Sequence, residues 1–240
     1  MILVDYPRME LVEKRLPTHI CLPQVEETMN RKRGSDSDDN NLNNENIDIL
    51  SPKVALKKYH DSLSSAELTE ILAYNKVYYL GQNANKPYFL KTAKTSPNYD
   101  DEDNFYRILP NDHLGFRYEI KSILGKGSFG QVVSAYDHKN KAFVAIKIVR
   151  SQQRFTNQAR EEIRILNMLR DLSEAQNSSV PIVSLLNSFE FRGHACLTFE
   201  LLSMNLYELI KKNSFCGLPR KTVKRISVDI LQVSRFPGHH

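Results

Sequence analysis

The sequence predicts an α+β fold whose main domain combines a five-stranded antiparallel sheet with one long helix. From residue 118 onwards, short runs rich in β-branched and aromatic residues alternate with polar or glycine-containing turns, as expected for strands joined by hairpins. After the third run, apolar residues recur at helical intervals over 159–172. A second stretch with helical periodicity, residues 51–81, precedes the sheet and predicts a smaller helical region.

Composition narrows the classes of function. With 240 residues, of which 41% are hydrophobic, the chain is long enough to bury a sizeable core. Its 33 basic residues are interleaved with 28 acidic ones, which argues against a nucleic-acid-binding surface despite the net charge of +5. No apolar run approaches the ~20 residues of a membrane span. We therefore predict a cytoplasmic protein without nucleic-acid or membrane partners, and the basic triplet 31–33 leaves a nuclear location open.

The region before the sheet divides into three parts. Residues 1–50 are expected to be mostly disordered, because the tract 30–50 is dominated by Asn, Asp and Ser and cannot bury enough apolar surface. Residues 51–81 predict two short helices that end at Gly81, with Ser64 or Ser65 as the N-cap of the second. A polar connector, residues 83–112, then leads to the strands. The three cysteines lack metal-ligand spacing and are expected to be reduced thiols; they are Cys21, Cys196 and Cys216.

Three glycines at the spacing G-x-G-x-x-G mark the candidate functional site: Gly125, Gly127 and Gly130. In dinucleotide-binding folds this motif opens a helix, but here the strand-like runs QVVSAYD and AFVAIKIV follow it, so the glycines lie in a β-hairpin. The phosphate loop of the G-x-x-x-x-G-K-[ST] type is also excluded, since Gln131 and Val132 stand where Lys and Ser or Thr are required.

The pattern that remains is the small lobe of a protein kinase. The glycines allow backbone amides to approach phosphate oxygens without obstruction by Cβ atoms. In that arrangement Val132 and Ala145 sandwich the adenine ring, and Lys147 of the VAIK run pairs with the α- and β-phosphates. The motif therefore predicts ATP as the cofactor.

A glutamate from the following helix is needed to hold that lysine in place. The apolar stripe of this helix consists of Ile163, Leu166, Leu169 and Leu172. Glu162 lies four residues before Leu166 and therefore on the inward side, whereas Glu161 is turned ~100° away. We predict that Glu162 is the partner of Lys147.

Two further strands, IVSLLNSFEF and HACLTFELL, complete the predicted sheet, with Arg192 and Gly193 between them. The second strand leads into a hinge whose backbone groups can hydrogen-bond the edge of the adenine ring. Its residues are Glu200, Leu201 and Leu202, and Phe199 before them is expected to close the back of the pocket.

Four segments of the sequence resemble class II of the dual-specificity tyrosine-regulated kinase family. They are RYEIKSILGKGSFGQVVSAYDHKN, VAIKIVRSQQRF, EEIRILNML and TFELLSMNLYELIKKN. The resemblance implies an accessory region and DH-box at 51–117, a small lobe and hinge at 118–202, the start of the large lobe at 203–232, and a non-family tail at 233–240. It also implies protein substrates phosphorylated on Ser or Thr, with Tyr phosphorylated only in cis.

The resemblance further implies which residues contact the nucleotide, including Asn205 at the ribose. They are Leu124, Gly125, Lys126, Gly127, Ser128, Phe129, Gly130, Val132, Ala145, Lys147, Phe199, Glu200, Leu201, Leu202 and Asn205.

The sequence departs from the family after residue 232. No HRD, HCD, DFG or APE motif occurs, so the family's catalytic Asp and Mg²⁺ ligands have no counterpart, and no metal ligand is assigned. We expect a kinase truncated within its catalytic domain. The alternative is a non-catalytic binding or regulatory module that meets full-length kinase partners.

Overall fold

The computed structural model describes residues 49–86, 99–175 and 181–234, and its fold is α+β, as predicted. Six strands form one antiparallel sheet in the order β1-β2-β3-β4-β6-β5. They are β1 (His113–Leu114), β2 (Tyr118–Gly127), β3 (Gly130–Asp137), β4 (Ala142–Val149), β5 (Leu185–Phe191) and β6 (His194–Glu200). Five of them are the predicted strands. The sixth, β1, pairs through only two residues, too few to produce an alternating pattern in the sequence.

Five α-helices accompany the sheet in the described part of the chain. They are α1 (Pro52–Tyr59), α2 (Ser65–Glu70), α3 (Gln153–Ala175), α4 (Leu206–Lys212) and α5 (Arg220–Ser234), and single 3-10 turns follow α1 and α2 at His60–Ser62 and Ile71–Ala73. None of these helices is both long enough and apolar enough to cross a membrane.

The N-cap of α2 is Ser64, one of the two predicted candidates. Its hydroxyl accepts the backbone N–H of Glu67, whose carboxylate in turn accepts the N–H of Ser64, which forms a capping box. The predicted end of this region at Gly81 is wrong. The helical conformation stops at Ala73, because Val77 pairs in an antiparallel bridge with Leu50.

The structure does not describe residues 1–48, which include Cys21, or residues 235–240. The predictions for the N-terminal tract and for the end of the tail therefore lie outside the described residues. Cys196 is buried and Cys216 exposed, and both are free thiols. Burial raises the pKa of the Cys196 thiol, which keeps it protonated and unreactive at neutral pH.

Three apolar clusters hold the fold together. One packs Tyr106 and Leu114 against strands β2, β3, β4 and β6, and a second packs α3 against β4 and β6. The third lies within the N-terminal helical region and includes Phe116, which is fully buried between β1 and β2. The backbone N–H groups of Tyr78 and Tyr79 both donate to the Phe116 carbonyl. Phe116 thereby joins the helical region to the sheet that carries the candidate site.

Candidate functional site

The glycine motif lies at the tip of the β2–β3 hairpin, where Gly127 pairs with Gly130. A Cβ atom at Gly125 or Gly127 would meet no other atom within 4 Å, so the chain leaves the space beside both residues open. A Cβ atom at Gly130 would lie 2.3 Å from the carbonyl oxygen of Ile148. The packing of β3 on β4 is therefore enough to require glycine at 130, whereas 125 and 127 present open backbone to a ligand.

Lys147 and Glu162 form an ion pair between the sheet and α3. The Lys147 Nζ donates to the Glu162 Oε2 at 2.7 Å, and the two side chains are 16% and 26% exposed. Glu161 points to the other side of the helix and binds Arg164, also on the surface of α3. The structure thus places Lys147 beside Glu162, the residue that the helical phase favoured.

The apolar residues that were predicted to surround the adenine ring lie next to this ion pair. Ala145 and Phe199 are buried and face each other across the β4–β6 register, and Val132 packs against the same cluster. Val132 is also the β3 partner of Lys147. Adjacent strands therefore place an apolar surface and a cation side by side, an arrangement that suits a nucleotide with an apolar base and an anionic tail.

The tip of the hairpin bends towards the ion pair. Phe129 packs edge-on against Phe155 of α3, with the ring centroids 5.9 Å apart, and lines the same narrow crevice as Lys147 and Glu162. Leu124, at the start of the motif, is 52% exposed. The side chain of Phe129 therefore borders the candidate site from the tip of the hairpin.

The predicted hinge begins at Glu200, the last residue of β6, and is accessible. The Glu200 carboxylate accepts the backbone N–H of Ser184 at 2.9 Å, and Leu201 and Leu202 are exposed. Asn205 is the N-cap of α4, because its Oδ1 accepts the N–H of Glu208 at 2.8 Å. The side-chain oxygen of Asn205 is thus engaged in the fold, a role that the sequence analysis did not foresee.

Lys126 also has a structural partner that the sequence analysis missed. Its ammonium group lies 3.8 Å from the centre of the Phe105 ring and 3.4 Å from the Asp101 Oδ2, so it points to the segment before β1. Ser128 contributes its carbonyl to Arg150. The only sequence signal for this arrangement is the polar stretch DDEDN, which is typical of a turn.

A buried ion network joins α2, β1 and the turn between β5 and β6. Glu67, Asp112 and His113 bring three possible metal ligands within 4.8 Å of one another. Two cations already occupy the network, since the Lys86 Nζ lies 2.7 Å and the Arg192 Nη2 3.3 Å from the Glu67 Oε1. These partners neutralise the carboxylates and leave no need for a metal ion.

The carboxyl of Glu67 is held in its charged form by this network. Burial raises its pKa, but the hydrogen bond from His113 and the charge of Lys86 outweigh that effect and hold the pKa well below its usual range. The Phe116 N–H donates to the His113 Nδ1, which leaves the Nε2 to carry the proton that binds Glu67.

Comparison with known proteins agrees with this geometry. Residues 118–236 match the protein kinase domain family, so a kinase small lobe is the class that the sheet and the ion pair define. Dual specificity tyrosine-phosphorylation-regulated kinase 3 of Macaca fascicularis is 46% identical over 183 residues, which cover 76% of this chain and 32% of the relative. The Homo sapiens protein of the same name is 46% identical over 183 residues, with coverage of 76% and 31%.

Kinase 2 of the same series from Drosophila melanogaster is 43% identical over 190 residues, covering 78% of this chain and 26% of the relative. The chain belongs to the dual-specificity tyrosine-phosphorylation-regulated kinase family and contains part of the kinase domain. It spans about a third of the length of the Macaca fascicularis and Homo sapiens relatives.

Proposed function

We propose that this chain is the ATP-binding part of a dual-specificity protein kinase that phosphorylates Ser and Thr in protein substrates and Tyr during its own maturation. The observation that carries the proposal is the Lys147–Glu162 ion pair, which lies beside a glycine hairpin with open backbone at 125 and 127. The accessory region before the sheet supports class II of the family. We also propose a cytoplasmic location, and the basic triplet 31–33 keeps a nuclear location as the alternative.

The residues of this chain have separate roles in the proposed site. Val132 and Ala145 cover the adenine ring, and the backbone at Leu201 hydrogen-bonds its edge. Lys147 binds the α- and β-phosphates, while Glu162 is a positioning residue that holds the ammonium group in the cleft. ATP supplies the phosphoryl group, and Mg²⁺, which protein kinases use with it, would be held by residues of the catalytic half.

The test is a chimera in which the chain is joined after Gln232 to the catalytic half of a relative. We expect radiolabelled phosphate to enter a basic protein substrate, and we expect Lys147→Met to abolish this activity. Glu162→Ala should lower kcat/KM about 10- to 100-fold, the loss typical of a misplaced catalytic group. Glu161→Ala is the matched control, because Glu161 is the neighbouring residue on the same helix and binds Arg164 on the surface.

Equal activities of the two glutamate variants would contradict the proposed role of Glu162. The 240-residue polypeptide by itself is expected to transfer no phosphate, since it contains no DFG or HRD motif to hold Mg²⁺ and orient the acceptor. Incorporation by that polypeptide that disappears in Lys147→Met would overturn this expectation.

A second candidate function is a non-catalytic binding module. It is favoured by the apolar side chains that α5 exposes, namely Val223, Val228, Ile230 and Leu231. In that case the chain would bind other kinase chains. A chimera without activity, together with direct binding of the 240-residue chain to a full-length relative in pull-down and calorimetry, would favour this function over the first.

A further inference from the structure

A short turn before the sheet, residues 99–105, is preorganised by its own hydrogen bonds. The Asp101 Oδ1 accepts the backbone N–H of Asp103 at 3.0 Å and that of Phe105 at 2.8 Å. Asn104 has a positive φ of 64°, a conformation that asparagine tolerates better than most residues. We call residues 99–105 the acidic turn.

The acidic turn is fixed to the sheet. The Asp100 carboxylate lies 2.8 Å from the Nε2 of His194 at the start of β6, and it accepts the hydroxyl of Ser151 just after β4. Phe105 is buried, with 7% of its surface exposed. The turn therefore has a defined position relative to β4 and β6, and it can act as a support.

The acidic turn makes its first contact with the middle of the glycine motif. Lys126 lies between Gly125 and Gly127, and its ammonium group sits on the face of the Phe105 ring beside the Asp101 carboxylate. A cation–π contact and an ion pair thus attach the first strand of the hairpin to the acidic turn.

The second contact holds the tip of the hairpin through Arg150. Its guanidinium group stacks 4.6 Å from the centre of the Phe105 ring and donates to the carbonyl of Asp103 at 2.9 Å. The same group donates to the carbonyl of Ser128 at 3.2 Å, and the backbone N–H of Arg150 donates to the carbonyl of Phe129. Both residues at the tip are therefore connected to the acidic turn.

We propose that the acidic turn is a clamp that positions the glycine loop before the nucleotide arrives. Glycine-rich segments lose more conformational entropy than others when they become ordered. A loop that is already ordered avoids this loss at the moment of binding, so the clamp increases nucleotide affinity. The part that concerns the nucleotide rests on the proposed function, whereas the ordering of the free loop does not.

Hydrogen–deuterium exchange of the nucleotide-free 240-residue chain tests the clamp. We expect Asp101→Ala and Lys126→Met each to increase exchange in peptides covering 124–130 about threefold or more, with β5 and β6 unchanged. Glu102→Ala is the matched control, because Glu102 is an exposed acidic residue of the same turn that makes no hydrogen bond or ion pair within the described ranges. Phe105→Ala should have the largest effect, and the two milder variants keep the test informative if it does not fold.

The nucleotide arm uses the chimera described above. Asp101→Ala, which changes no residue expected to contact the nucleotide, should raise the KM for ATP about three- to tenfold while leaving the KM for the protein substrate unchanged. Cooperatively folded variants whose 124–130 exchange equals that of the wild type would overturn the clamp. Increased exchange in a chimera that binds no ATP would support the clamp and overturn the proposed function, so the two failures are distinguishable.

Discussion

Replacing Arg192 should destabilise the fold more than replacing any arginine on its surface. Arg192 lies in the turn between β5 and β6 with a positive φ of 50°, and its side chain is only 2% exposed. The guanidinium group binds Glu70 at 2.9 Å and Glu67 at 3.3 Å, and it stacks over the Tyr99 ring. A positive φ is uncommon for arginine, and in this conformation the guanidinium group of Arg192 lies within the network.

The size of the destabilisation depends on the carboxylates that Arg192→Met leaves without this partner. Removing one partner of a buried ion pair costs about 3–5 kcal/mol, because the other charge remains buried without compensation. Glu67 is fully buried but retains Lys86, and Glu70 is 25% exposed and can be hydrated, so the lower end of that range applies. In a chain of about this length, ~3 kcal/mol corresponds to a decrease in Tm of about 6–12 °C.

Thermal unfolding followed by circular dichroism measures this effect. Arg170→Met is the matched control, since the Arg170 side chain is 55% exposed and pairs with Asp171 on the surface of α3. It should leave Tm unchanged. A Tm of Arg192→Met within about one degree of the wild type would show that the network does not stabilise the fold and would refute the reasoning.

Two further predictions concern backbone packing and pH. Gly130→Ala forces a Cβ atom to within 2.3 Å of the Ile148 carbonyl, so we expect it to lower the free energy of unfolding in urea by about 1–3 kcal/mol. Gly125→Ala, where the space is open, should not change the urea midpoint, and equal midpoints for the two variants would contradict the steric argument. The folded state also lowers the pKa of Glu67 below its ordinary value of 4.5, so the stabilisation is complete above that pH and is lost as the pH falls below it. Stability measured from about pH 6 to pH 3 should therefore fall less steeply in Glu67→Gln, and parallel curves for the two proteins would rule out Glu67 as the group responsible.

The sequence alone determined those features that depend on neighbours along the chain. Alternating and helical periods predicted five of the strands and α3, because side-chain directions follow from backbone geometry. The same geometry selected Glu162 over Glu161, and the capping pattern limited the start of α2 to two serines. The spacing of Gly125, Gly127 and Lys147 predicted the candidate site for the same reason, since all three lie on one hairpin and the strand that follows it.

Only the tertiary structure decided the features that join distant parts of the chain. Arg192 and Glu67 are 125 positions apart, and arginine is seldom buried, so no local pattern indicates that this pair meets in the interior. The glycine at 130 is required by the close approach of β4, and the acidic turn meets Lys126 because β6 and β4 hold it there. These contacts depend on how the elements pack, and the packing is determined by the whole chain at once.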